Sequence, residues 1–156
     1  MPAASERPAG PAPVNLPRTW RPLGTTVAGV VASVTVLGAM LAAWLLLDAE
    51  VREDFNWQQR VTIVGLIGLS GLVLWGVLRC RITARTEGVE VVNGYRRYTY
   101  DWAKVVAIRM PQGAPWATLD LSDGTARPVI GIQASDGSRA TAAVRAIRTL
   151  VEHPPR

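Results

Sequence analysis

The chain has 156 residues, a formal net charge of +5 and a single cysteine, Cys80. One cysteine excludes an intramolecular disulfide, and a chain of this length makes about one domain. Sixteen of the seventeen basic residues are arginine, a bias that a GC-rich bacterial genome produces, so it is not read as a footprint for nucleic acid.

Residues 1–23 hold Pro2, Pro8, Pro11, Pro13, Pro17 and Pro22 among alanines. Such a composition buries too little apolar surface to offset the entropy of ordering, so a disordered Pro/Ala-rich tail is expected. It is also too long and too weakly basic for the n-region of a cleaved signal peptide. Residues 24–79 then read as a transmembrane hairpin. Val27 to Leu47 is 21 residues without one ionisable side chain, and at 1.5 Å per residue it spans the roughly 30 Å of a hydrocarbon core. Val61 to Leu78 is equally uncharged over 18 residues and covers about 27 Å.

Flanking charge sets the expected orientation. The tail carries Arg7, Arg18 and Arg21 against Glu6, whereas the loop 48–60 carries Arg52 and Arg60 against Asp48, Glu50, Glu53 and Asp54. Arg79, Arg81 and Arg85 follow the second helix directly. Positive charge stays inside, so the reading is a multi-pass protein of the cell (inner) membrane with the loop outside and both termini cytoplasmic. Trp20, Trp44, Trp57 and Trp75 fall at the expected interfaces. Small residues lie at helical spacing: Gly29 with Ser33, Gly38 with Ala42, and Gly65, Gly68 and Gly76 beside Leu72. These faces suit close helix packing, within the hairpin, on a partner membrane protein or on a second copy. Neither helix contains an ionisable group, which argues against a proton or ion pathway.

From residue 80 the period changes to alternation. Val89 and Val91, the pair Asn93-Gly94, then Tyr98, Tyr100 and Trp102 predict two strands joined by a type I′ turn. Val105 to Met110 is a further strand. Trp116 to Leu121 turns at Asp123-Gly124 and returns through Thr125 to Ile130, where Pro128, lacking an amide donor, indicates an edge. Ala140, Ala143, Val144, Ile147, Leu150 and Val151 repeat as one face of an amphipathic helix, with Ser135 or Ser138 as candidate caps and Pro154 and Pro155 as its stop. The predicted class is α+β: a helical hairpin, a small antiparallel β-sandwich over 80–152 with a C-terminal helix, and a short tail 153–156.

Thr86-Glu87-Gly88-Val89, Tyr100-Asp101-Trp102 before Lys104-Val105, Trp116-Ala117-Thr118-Leu119 and the hairpin Leu121-Ser122-Asp123-Gly124-Thr125 carry a resemblance. Together they resemble the bacterial pleckstrin-homology-like (PH-like) domain family typified by low molecular weight protein antigen 6, over about residues 80–152. The resemblance implies a compact β-sandwich capped by a C-terminal helix, often preceded by two membrane helices. It implies no ligand residues.

Chemistry is sparse. His153 stands at the frayed end of the last helix, a poor anchor for a catalytic dyad or triad. Cys80 lies between Arg79 and Arg81, where an inert interfacial thiol competes with one of lowered pKa. No spacing suits a metal or a phosphate loop, so no enzyme, metal or cofactor is expected. Two functions remain. One is a membrane-anchored cytoplasmic interaction module that serves another membrane protein. The other is an anionic-lipid headgroup binder that contacts the bilayer through Arg79, Arg81, Arg85, Arg96 and Arg97.

Overall fold

A computed structural model describes residues 15–155. The chain runs β1 (Arg18–Trp20), α1 (Leu23–Leu46), α2 (Ala49–Asp54) and α3 (Trp57–Leu78). It continues through β2 (Arg81–Ala84), β3 (Gly88–Asn93), β4 (Arg96–Asp101), β5 (Val105–Arg109), β6 (Trp116–Leu121), β7 (Ala126–Gln133) and α4 (Ser138–Glu152). The class is α+β, as expected. One sheet has the order β1-β2-β3-β4 and the other β5-β6-β7, and every neighbouring pair is antiparallel.

The N-terminal region departs from the expected tail. Residues 1–14 lie outside the described residues, but Arg18–Trp20 forms a strand paired with Arg81–Ala84. The reason is local. A β-branched residue and an aromatic stand between Pro17 and Pro22, the Thr19 and Thr83 hydroxyls hydrogen-bond at 2.9 Å, and Trp20 packs on the core. The β-domain is therefore not the continuous segment 80–152, because its first strand precedes the helical hairpin and its second follows it.

Both long helices begin about a turn before the uncharged windows, since absence of charge marks apolar surface and not helix limits. Asn56 starts α3 with a capping box: its side chain accepts from the Gln59 amide while Gln59 accepts from the Asn56 amide. These two helices are long and apolar enough to cross a membrane. The segment between them is not bare loop but contains α2, and Trp44 meets Phe55 edge-on at 5.4 Å. Gly29 faces Leu74, whereas Gly38, Gly65 and Gly68 face open space. The small residues thus line only part of the contact within the hairpin.

Several contacts stitch the hairpin to the sandwich. Asp136 accepts from the Gly24 amide at 2.7 Å and the Leu23 amide at 3.3 Å, serving α1 as a cap that its own Pro22 cannot supply. The Thr25 hydroxyl donates to Gln133 Oε1. At the other end, the Tyr95 hydroxyl donates to the Leu72 carbonyl and the ring lies over Gly76. Cys80 is buried, with its thiol 3.5 Å from the Gly76 carbonyl and accepting from the Gly94 amide at 3.1 Å. It is a joint between helix and hairpin.

The β3–β4 turn differs from the expected one. Asn93 pairs with Arg96 as the last strand position, leaving Gly94 and Tyr95 at the turn. Only Gly94 has positive φ, +61°, which is the type II′ pattern and not type I′. Asn93 is diverted: its side chain donates to the Pro128 carbonyl at 2.6 Å and accepts from the Ile130 amide at 3.2 Å, tying the turn to β7. Strand β7 is an edge of its sheet, as Pro128 indicated.

The core lies between the sheets and under α4, from Ile82 and Val91 through Ile108 and Leu119 to Val129. On α4 the predicted face is the buried one, with Ala140, Ala143, Val144, Ile147 and Leu150 inside, and a fully buried Ile contributes about 1.5–3 kcal/mol. The start of α4 is not capped by Ser135 or Ser138. Gly137, at φ +56°, occupies the cap position without a side-chain bond.

At the β6–β7 turn the Asp123 carboxylate accepts from the Thr125 hydroxyl at 2.7 Å and amide at 2.8 Å. These bonds, the hydroxyl first, hold its pKa below the usual 3.8. The folded carboxyl stays ionised at lower pH than the unfolded one, so its stabilising contribution is complete at neutral pH and is lost as pH falls through the folded value. A side-chain NMR titration is expected to place Asp123 below the ordinary aspartate value, and Thr125→Ala, which removes the hydroxyl and keeps the amide donor, is expected to raise it part of the way back.

Candidate functional site

Alternation along β2, β3 and β4 sends Ile82, Ala84, Val89 and Val91 to the core and Arg81, Thr83, Arg85, Glu90 and Arg97 to the opposite face. Glu90 is the unusual member, a carboxylate with a side chain only 10% exposed. A buried charge is tolerated only when paired, and three arginines surround this one. Arg81 Nη2 lies 3.3 Å from Oε1, Arg97 Nε 3.5 Å from the same oxygen and Arg85 Nη2 3.6 Å from Oε2. Each arginine spends one nitrogen on Glu90. The other donors of the three forks make no ion pair among the described residues.

Three of the five arginines singled out from the sequence therefore meet at one carboxylate that was not singled out. The other two lie apart. Arg79 sits over the Tyr95 ring, 5.8 Å from its centroid, beside the last turn of α3. Arg96 is exposed on β4 and, as the strand neighbour of Arg97, points to the other face, so those two do not form a joint contact.

Adjacent to Glu90, a cleft of about 660 Å³ opens between β1, β2 and the start of α4. Arg18, Arg21, Arg81, Arg85 and Arg139 line it, with Glu90 and Asp136 as its only carboxylates among the described residues. Arg18 lies over the Trp20 ring at 5.3 Å. Sequence reasoning missed Arg18 and Arg21 because their segment was read as tail, and it missed Arg139 because an arginine on the polar side of an amphipathic helix carries no local signal. Glu90 was legible in part, as the lone charge in Val89-Glu90-Val91-Val92.

Residues 79–150 match the profile of the bacterial PH domain family. An uncharacterised protein of Mycobacterium tuberculosis (strain H37Rv) is 32% identical over 144 residues, covering 86% of this chain and 91% of the relative. An uncharacterised protein of Mycobacterium bovis is similar to the same extent. The chain belongs to the bacterial PH domain family. Coverage of 86% exceeds the profile match, so the likeness of this bacterial PH domain protein to its relatives extends into the helical hairpin. No solved structure matches the chain. Bacterial PH-like domains are generally non-catalytic interaction modules.

Proposed function

We propose that this protein is a membrane-anchored interaction module: the hairpin crosses the cell membrane twice, both termini are cytoplasmic, and the PH-like domain works at the inner surface on another membrane protein. The observation that carries this reading is the pairing of β1 with β2 across the hairpin. Two strands of one sheet lie on one side of a bilayer, so helices between them that cross at all cross an even number of times. The large apolar side chains exposed along both helices, among them Leu41, Leu45, Val64 and Leu69, need lipid or protein to cover them. Gly38, Gly65 and Gly68, open on the helix faces, suit a partner's helices or a second copy.

The headgroup reading is a second one, favoured by the convergence of Arg81, Arg85 and Arg97 on Glu90 directly after α3. Each arginine held near an anionic leaflet contributes about 1 kcal/mol before screening.

The test has two arms in intact cells expressing the full chain. A Glu50→Cys variant is expected to react with an impermeant maleimide from outside, and an Arg145→Cys variant only after permeabilisation. The reverse pattern overturns the placement. Crosslinking followed by purification in mild detergent is expected to return a stoichiometric membrane-protein partner, and repeated recovery of the protein alone overturns the interaction reading.

A further inference from the structure

Both carboxylates of the β1–α4 cleft are already engaged. The two oxygens of Asp136 accept the first amides of α1, and those of Glu90 are shared among Arg81, Arg85 and Arg97. That leaves Arg21 and Arg139 without an ion pair or side-chain hydrogen bond among the described residues, and Arg18 with only the Trp20 ring. Five guanidinium groups against two committed carboxylates repel one another unless an anion joins them. Each fork presents paired N–H donors at a spacing that fits oxyanions, phosphate above all.

Size and place agree with that chemistry. A volume of about 660 Å³ is in the range of small-ligand sites. Apart from Arg139, the α4 wall is formed by Ala140, Ala142 and Ala143, so no other long side chain from that wall fills the space. The cleft lies where Arg21 precedes α1 and where Arg81 follows α3, the level at which a twice-crossing hairpin meets headgroup phosphates.

We infer that this cleft binds a phosphate ester of net negative charge, with Arg21 and Arg139 as its principal ligands and the Glu90-held Arg81 and Arg85 completing the positive wall. The inference deepens the headgroup reading and rests on it only for the source of the phosphate, a lipid headgroup or a soluble ester. Glu90 then acts as a positioning residue, fixing guanidinium groups that would otherwise spread apart.

The test uses the full chain in a neutral detergent and two probes, phosphatidylglycerol against phosphatidylcholine by native mass spectrometry, and glycerol 1-phosphate by calorimetry. The wild-type protein is expected to retain phosphatidylglycerol in preference to phosphatidylcholine. Arg21→Ala with Arg139→Ala is expected to weaken that binding at least tenfold and leave the melting temperature within a few degrees, because both side chains are exposed. Arg145→Ala with Arg148→Ala, the same change of charge on residues outside the cleft, is expected to bind as the wild type does. Binding of glycerol 1-phosphate alone, lost in the Arg21/Arg139 variant, supports the site and assigns it a soluble ester. Undiminished binding by that variant, an equal loss in the Arg145/Arg148 variant, retention of both lipids alike, or no binding of either probe overturns the inference. Detergent solution has no sides, so failure here leaves the placement of the domain standing.

Discussion

Gly131→Ala is expected to destabilise the PH-like domain by about 3 kcal/mol, the upper part of the usual range for overpacking. A β-carbon at Gly131 would lie 2.7 Å from both the carbonyl carbon and Cα of Arg81 and 2.8 Å from the Ile82 amide nitrogen. All three are backbone atoms, so no flexible side chain moves aside, and β7 must lift from β2 where the hairpin rejoins the sandwich. For a domain of this size the loss corresponds to a fall in melting temperature on the order of 10–20 °C. Near-ultraviolet circular dichroism of the full chain in detergent reads it, with the helical far-ultraviolet signal of the hairpin retained. A shift below about 2 °C, well under the expected fall, would mean that the two strands do not cross so closely.

Trp102→Ala is expected to cost about 4 kcal/mol, as truncation of a buried tryptophan does. The ring is 6% exposed, and its indole nitrogen donates to the Arg85 carbonyl at 3.0 Å. Stability of this class of domain is about 5–10 kcal/mol, so the variant stands close to unfolding. Trp102→Phe separates the two contributions: it keeps most of the apolar contact, removes the donor and is expected to cost about 2 kcal/mol. Chemical denaturation midpoints of the wild type and the two variants order them. Equal midpoints for the wild type and Trp102→Phe would show that the bond to Arg85 contributes nothing.

Elements whose signal lies within their own residues were legible. The α4 face, from Ala140 to Leu150, follows from its period, and Trp116 to Leu121 from alternation, because burial imposes those patterns locally. The strand β1 was not legible. Three residues between prolines carry no period, and what makes them a strand is Thr83, 64 positions later. The turn at Gly94 was misread for a related reason: Asn93 favours a turn centre by itself, but β7 claims its side chain. At the site, the arginines after α3 were visible as a charge run and Glu90 as a lone charge among valines, but their meeting was not legible, since it depends on the register of three strands.

The separation of β1 from β2 by the hairpin also bears on how the protein is made. Synthesis is vectorial, so Arg18–Trp20 leaves the ribosome before the two apolar helices and Arg81–Ala84 after them. On the twice-crossing reading, the four-stranded sheet cannot close until the chain has gone out through the membrane and come back. A nascent chain that crosses once strands β1 on the wrong side, leaves the β2 edge unpaired and leaves the core without Trp20. Completion of the sheet is thus a built-in check on insertion, and misinserted molecules carry a visible defect in their soluble part.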